Sequence, residues 1–154
     1  MTFTAWRITK RKHAQTAFDG SGARKFGGRW NSPGIAIVYA AQSQSLAVLE
    51  MLVHLDGPSL LQQYVLIPVE IDAGLIRTVE IGELPRDWQS HPAPPALRDV
   101  GDTWVRSSAS VALKLPSALL PAESNFLLNP GHMDFEKLAI GEPVAFEFDA
   151  RLMK

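Results

Sequence analysis

The chain has 154 residues, with 15 Lys+Arg against 16 Asp+Glu and no cysteine. Its length suits a single domain over residues 1–154, since domains usually run to roughly 100–200 residues, and 46% hydrophobic with 20% charged residues argues for a core against disorder. A net charge of −1 excludes a strong nucleic-acid footprint, and the lack of cysteine excludes disulfides, a thiol nucleophile and a thiolate metal site.

The opening residues, Met1-Thr2-Phe3-Thr4-Ala5-Trp6, carry neither the basic region nor the apolar stretch of a signal peptide. No apolar run reaches the roughly 20 residues of a membrane span. The expectation is a soluble, cytoplasmic protein. Residues 3–9 partly alternate apolar and polar and predict a strand. Residues 19–34 read as a loop, with five of the eleven glycines, and the β-branched run Ile35–Ala40 predicts a second strand. A helix is predicted over 43–56, with Ser43 as N-cap and Gly57-Pro58 as its stop. Apolar side chains surround this helix in nearly every direction, so it should be largely buried. Glu50 shares one narrow polar sector with His54, and a buried carboxylate needs a cleft or a polar neighbour.

Tyr64–Ile71 is the clearest strand, with Pro68 suggesting an edge or a bulge. A shorter one is expected over Ile76–Ile81. Residues 82–95, with four of the eleven prolines and Trp88, read as an ordered connection. A helix is predicted over Asp99–Leu113, entered by Gly101-Asp102-Thr103 and ended before Pro116. Ser117–Leu120, 124–128 and Val144–Phe148 read as late strands. Strands clustered with few intervening helices imply an α+β fold with a mixed or antiparallel β core.

Three segments carry candidate chemistry. In Gly27-Gly28-Arg29-Trp30-Asn31-Ser32-Pro33-Gly34, glycines allow close approach of a ligand and Arg29 offers a forked cation suited to phosphate. Its ordinary alternative is a surface turn anchored by Trp30. The glycine spacing fits neither a dinucleotide fingerprint nor a phosphate loop. Tyr39 and Glu50 can meet one cleft, and a carboxylate near an aromatic ring suits a sugar oxocarbenium ion. The alternative gives Tyr39 a core role and pairs Glu50 with Arg7 or Arg29. In residues 116–132, Ser117 lacks a nucleophile-elbow context, and Asn125, Asn129 and His132 serve as turn-formers as readily as ligands. His13, His54, His91 and His132 are too dispersed for a metal site, so none is expected.

Taken in order, these segments resemble the RES domain family, the toxins of RES–Xre toxin–antitoxin pairs. The matching stretches are Trp6-Arg7, Gly27 through Gly34, Tyr39-Ala40-Ala41, Leu46-Ala47-Val48-Leu49-Glu50, Pro116-Ser117, Glu123-Ser124-Asn125 and Asn129-Pro130-Gly131-His132. Met133 stands where the pattern has proline, and residues 57–115 match only loosely. The resemblance implies a fold similar to the ADP-ribosyltransferase toxins and cleavage of the nicotinamide–ribose bond of NAD+. The acceptor is water, phosphate or a protein side chain. It assigns catalysis to Glu50, Arg29 and Tyr39, and NAD+ contacts to Arg7, Arg29, Asn31, Tyr39, Ser117 and Asn125. NAD+ is substrate, with phosphate as an admissible co-substrate, and no cofactor is implied. The implied partner is a helix-turn-helix Xre-type antitoxin. Nucleic acid and membrane are not expected as partners, while strand 64–71 and the proline-rich segment offer surface for a homodimer or hetero-oligomer. A protein ADP-ribosyltransferase and a catalytically inert binding module are the competing readings.

Overall fold

A computed structural model describes residues 1–152. The alternation read in the opening residues forms β1 (Thr2–Lys10), which pairs antiparallel with β3 (Tyr64–Asp72) from Thr2 opposite Asp72 to Lys10 opposite Tyr64. Between them lie α1 (Ser21–Phe26), β2 (Val38–Ala41) and α2 (Gln44–Leu52). After β3 come β4 (Ile76–Thr78), α3 (Ala96–Ser107), β5 (Ala112–Pro116), β6 (Ser124–Leu128), β7 (Ala139–Ile140) and β8 (Val144–Phe146). Their order in the sheet is β4-β5-β6-β2-β1-β3-β7, with β8 also on β3. Among the described residues only β4 and β5 pair in parallel, so the expected α+β fold with a mixed, mainly antiparallel sheet is the one observed.

Because side chains alternate across a sheet, the central strands feed cores on both faces. Ala5, Val38, Ala40, Val69, Ile71, Ala112, Phe126 and Leu128 cluster on one face. The other face carries two separate clusters. Ile8, Ala41, Tyr64 and Leu66 pack under α2 through Leu46 and Ala47. Leu113, Leu115 and Leu127 pack under α3 and the glycine-rich loop through Leu97, Trp104, Trp88 and Trp30. The seam between these two clusters, where β2 meets β6, is where the candidate site forms.

Several boundaries differ from expectation for physical reasons. The 19–34 loop contains the short α1. The second strand runs 38–41 and not 35–40, because Ile37 turns into the cluster of Trp30 and Leu97. Ser43 caps α2 as expected, accepting from Leu46 N at 3.1 Å. The helix ends at Leu52, where His54 N and Leu55 N bond three residues back and tighten the chain. Nor is α2 largely buried: only Leu46 and Ala47 are, and its outer apolar side chains flank a groove of about 390 Å³ with Leu66 and Phe146. Strand β4 stops at Thr78, and 81–83 is a single tight turn. The predicted helix 99–113 is displaced to 96–107, because Pro94 and Pro95 precede its first turn and their carbonyls accept from Leu97 and Arg98. It ends at Ser108, whose φ of 52° is left-handed. Residues 117–120 form a turn, with the strand just before them. The last predicted strand, 144–148, stops at Phe146. Pro68 behaves as an edge residue inside the sheet. Its carbonyl accepts from Gly141 N at 2.8 Å on the outer side, so its missing N–H faces the interval between β7 and β8.

Candidate active site

Glu50 follows Leu46 by four positions and Ala47 by three, so it projects from the buried side of α2. There its Oε1 accepts from Ser117 Oγ at 2.7 Å and from Asn125 Nδ2 at 3.0 Å. No arginine pairs with it among the described residues, contrary to the ion pair weighed from sequence. Oε2 has no protein hydrogen-bond partner among them either.

Ser117 is completely buried. Its oxygen accepts from the main-chain N–H groups of Leu119 at 3.1 Å and Leu120 at 3.2 Å. With two donors on the oxygen, the hydroxyl proton is directed to Glu50, and charge-assisted bonds of this kind are the stronger ones. Asn125 enters from β6, opposite Ala41 of β2 and Leu115 of β5. Since its Nδ2 faces the carboxylate, its Oδ1 points elsewhere. That oxygen is buried with no hydrogen-bond partner, an orphaned acceptor beside the Glu50 carboxylate.

Tyr39 lies on the same face of the sheet, two residues before Ala41 and opposite Leu127. Its hydroxyl donates to Asn31 Oδ1 at 2.6 Å and accepts from Trp30 N at 3.2 Å. Burial pushes its ionisation well above the ordinary tyrosine range, with the Trp30 N–H acting in the opposite sense. Asn31 is fully buried, and its Nδ2 is shared among the carbonyls of Ala23, Ser32 and Ile35 at 3.0–3.1 Å. Asn31 therefore shapes the loop from inside and leaves no polar atom at its surface. Gly28 is required here, because a Cβ would stand 2.7 Å from the Tyr39 hydroxyl. Trp30, 2% exposed, is a core side chain, as the ordinary reading of the loop had it.

Arg29 is half-buried and donates from Nη1 to the carbonyls of Trp88 at 3.0 Å and Ser90 at 3.2 Å. Its other guanidinium N–H groups have no hydrogen-bond partner among the described residues. Arg7 leaves β1 on the opposite face from Trp6 and Ile8. Its Nε donates to Ala17 O at 3.1 Å and its Nη1 to Tyr39 O at 3.4 Å, tying β1 to β2 where their pairing gives out. Burial pulls the Arg7 guanidinium below its ordinary value, against the pull of Asp19.

The structure thus joins Glu50, Ser117 and Asn125 directly, places Tyr39 on the same face, and links Arg29 to Tyr39 through Trp30 and Asn31. Arg7 stays apart. Sequence reasoning missed Trp88 and Ser90, which hold Arg29, and Asp102, whose Oδ1 accepts from Ser32 N at 2.9 Å. The buried Trp88 among prolines was the available signal. Among the described residues no three His, Asp or Glu gather as a metal site, and no helix is long and apolar enough to cross a membrane.

The seam of this small α+β protein presents a carboxylate with one oxygen unengaged, an aromatic ring and an arginine loop along one face of the sheet. The chain belongs to the RES domain family, whose pattern it matches over residues 4–149. It is 41% identical to Toxin Res of Yersinia enterocolitica, covering 96% of this chain and 97% of that protein. It is 35% identical to the Prs ADP-ribosylating toxin of a Sphingobium species, over 100% and 99% of the two chains. In fold it resembles a chain of the M. tuberculosis MbcT–MbcA toxin–antitoxin complex, with a TM-score of 0.77 at 19% identity, over 96% of this chain and 85% of that one.

Proposed function

We propose that the protein is a toxin of a toxin–antitoxin pair that cleaves the nicotinamide–ribose bond of NAD+, passing the ADP-ribosyl group to water or phosphate. The observation that carries this reading is Glu50, held through Oε1 by Ser117 and Asn125 with Oε2 unengaged. As the C–N bond breaks, its electron pair leaves with nicotinamide and positive charge develops on the ribose. A fixed carboxylate stabilises such a cation, most strongly where its orientation costs nothing at the moment of reaction. Water then adds to the anomeric carbon and releases a proton, giving ADP-ribose; phosphate as acceptor gives the 1-phosphate. The orphaned Oδ1 of Asn125 suits a ribose hydroxyl, the free N–H groups of Arg29 suit the pyrophosphate, and the ring of Tyr39 suits the nicotinamide. Arg7 contributes through the Tyr39 carbonyl. The Xre-type antitoxin implied by the family would restrain the activity, in keeping with the likeness to relatives named as toxins and to a toxin–antitoxin complex.

The test is NAD+ consumption with nicotinamide release by the purified chain. Glu50→Gln, which keeps the shape and removes the charge, should lower the rate by about 100-fold or more with the fold intact. Near wild-type turnover in folded Glu50→Gln protein would overturn the assignment. A second reading, transfer to a protein side chain, is favoured by the Sphingobium relative's name. Label from NAD+ retained on protein, and absent from small products, would select it.

A further inference from the structure

The glycine-rich loop is held from below by α3 at two successive residues. Gly101 lies so close to the Trp30 carbonyl that no side chain fits there. Asp102, 4% exposed, takes the N–H of Ser32, seventy positions away in the chain. Among the described residues no basic side chain forms an ion pair with this carboxylate. A buried acceptor aimed at a single main-chain N–H fixes that stretch of the loop. What Asp102 holds is the main chain three residues beyond Arg29, while the carbonyls of Trp88 and Ser90 hold the guanidinium itself. Both restraints come from residues 88–102, the stretch without recognisable motif, and both act on one side chain.

We propose that Asp102 is a positioning residue for substrate binding, fixing the Arg29 loop through its bond to the Ser32 main chain. The proposal rests on the NAD+ reading above. Asp102 touches no reacting atom. Removing its acceptor loosens the loop and weakens the hold of Arg29 on the anionic part of the substrate, leaving the Glu50 centre as it was. The carboxylate acts here as an acceptor, so an amide that presents an oxygen to the same N–H substitutes for it.

The experiment measures kcat and KM for NAD+ in wild type, Asp102→Ala, Asp102→Asn and Arg29→Ala, with hydrogen exchange of the 28–34 segment. Asp102→Ala should raise KM by about tenfold with kcat within about twofold, and speed exchange at Ser32. Asp102→Asn should restore both. A folded Asp102→Ala protein with unchanged KM, or with kcat lost and KM kept, overturns the proposal. So does an Asp102→Asn variant as impaired as Asp102→Ala, since that makes the charge the requirement. If Asp102→Ala does not fold, Asp102→Leu, similar in volume but without the acceptor, takes its place, with a raised KM expected and an unchanged KM overturning the proposal. Wild-type protein that leaves NAD+ intact overturns the functional reading and the substrate role with it, and the exchange data then report separately whether Asp102 holds the loop.

Discussion

At the scale of single residues, the Tyr39 hydroxyl shows how a candidate substrate residue is committed to the fold. It donates to Asn31 Oδ1 and accepts from Trp30 N, so its polar end is turned away from any ligand and only the ring is available. Tyr39→Phe leaves Asn31, which is completely buried, without a donor for Oδ1. Such an unsatisfied group costs about 1–3 kcal/mol, and chemical denaturation should show a loss of that order. The same residue has a pH signature. Burial raises its folded ionisation above that of the unfolded chain, which releases the proton near pH ~10. Above that pH the unfolded state binds fewer protons than the folded one, so stability falls as pH rises and is fully present below it. Tyr64 is shifted in the same direction by burial. Tyr39→Phe should therefore shrink the alkaline loss of stability without abolishing it. An unchanged alkaline limb in denaturation curves would refute the assignment.

At the scale of elements, α3 is the piece that the sequence describes least well and the site depends on most. Gly101 and Asp102 read as helix-entry residues in the sequence, because glycine and aspartate are common there. They lie mid-helix for a reason that no local pattern holds: the Trp30 carbonyl sits against the position where a Cβ would stand. Gly101→Ala is favourable by helix propensity and unfavourable by overpacking, and the contact with main chain decides the sign. The expected loss is about 1–3 kcal/mol, typical of overpacked sites, with Gly82→Ala as control, since nothing crowds that position. A thermal scan in which Gly101→Ala equals or exceeds wild type would show that α3 can withdraw from the loop. By contrast, α2 was legible through its Ser43 cap, with Glu50 in the one narrow polar sector of the helix. Its partners were less so: Ser117 and Asn125 stood out only as members of an ordered set, because their approach to Glu50 depends on the pairing of β2 with β6 and β5 with β6. Local propensity sees residues near in sequence, and these contacts span 67 and 75 positions.

At the scale of the whole molecule, one sheet face bears two cores, and the candidate site is the line along which they meet. The α2 side supplies Glu50, the α3 side supplies the Arg29 loop with its Trp88–Ser90 anchor, and β2 and β6 run under both. The α+β class follows from the clustering of strands in the sequence, and β1 and β3 are each legible there as strands, but their pairing and the seam are not. The seam arises because Ala41 opposite Asn125, and Ser117 just beyond β5, leave polar groups where large apolar side chains fill the face on either side. A ligand reaching from Glu50 to Arg29 would cross this line and bind both halves at once. A non-cleavable NAD+ analogue should then stabilise the protein as one cooperative unit, by about 2.7 kcal/mol at a hundredfold excess over its dissociation constant. Arg29→Ala should lower that gain at fixed analogue concentration by weakening binding, whereas His54→Ala, exposed beyond the end of α2, should leave it unchanged. Thermal unfolding with and without analogue measures both. A shift retained in full by Arg29→Ala would place the anionic part of the ligand away from the glycine-rich loop. A transition that splits in two on adding analogue would mean that the ligand contacts one half alone.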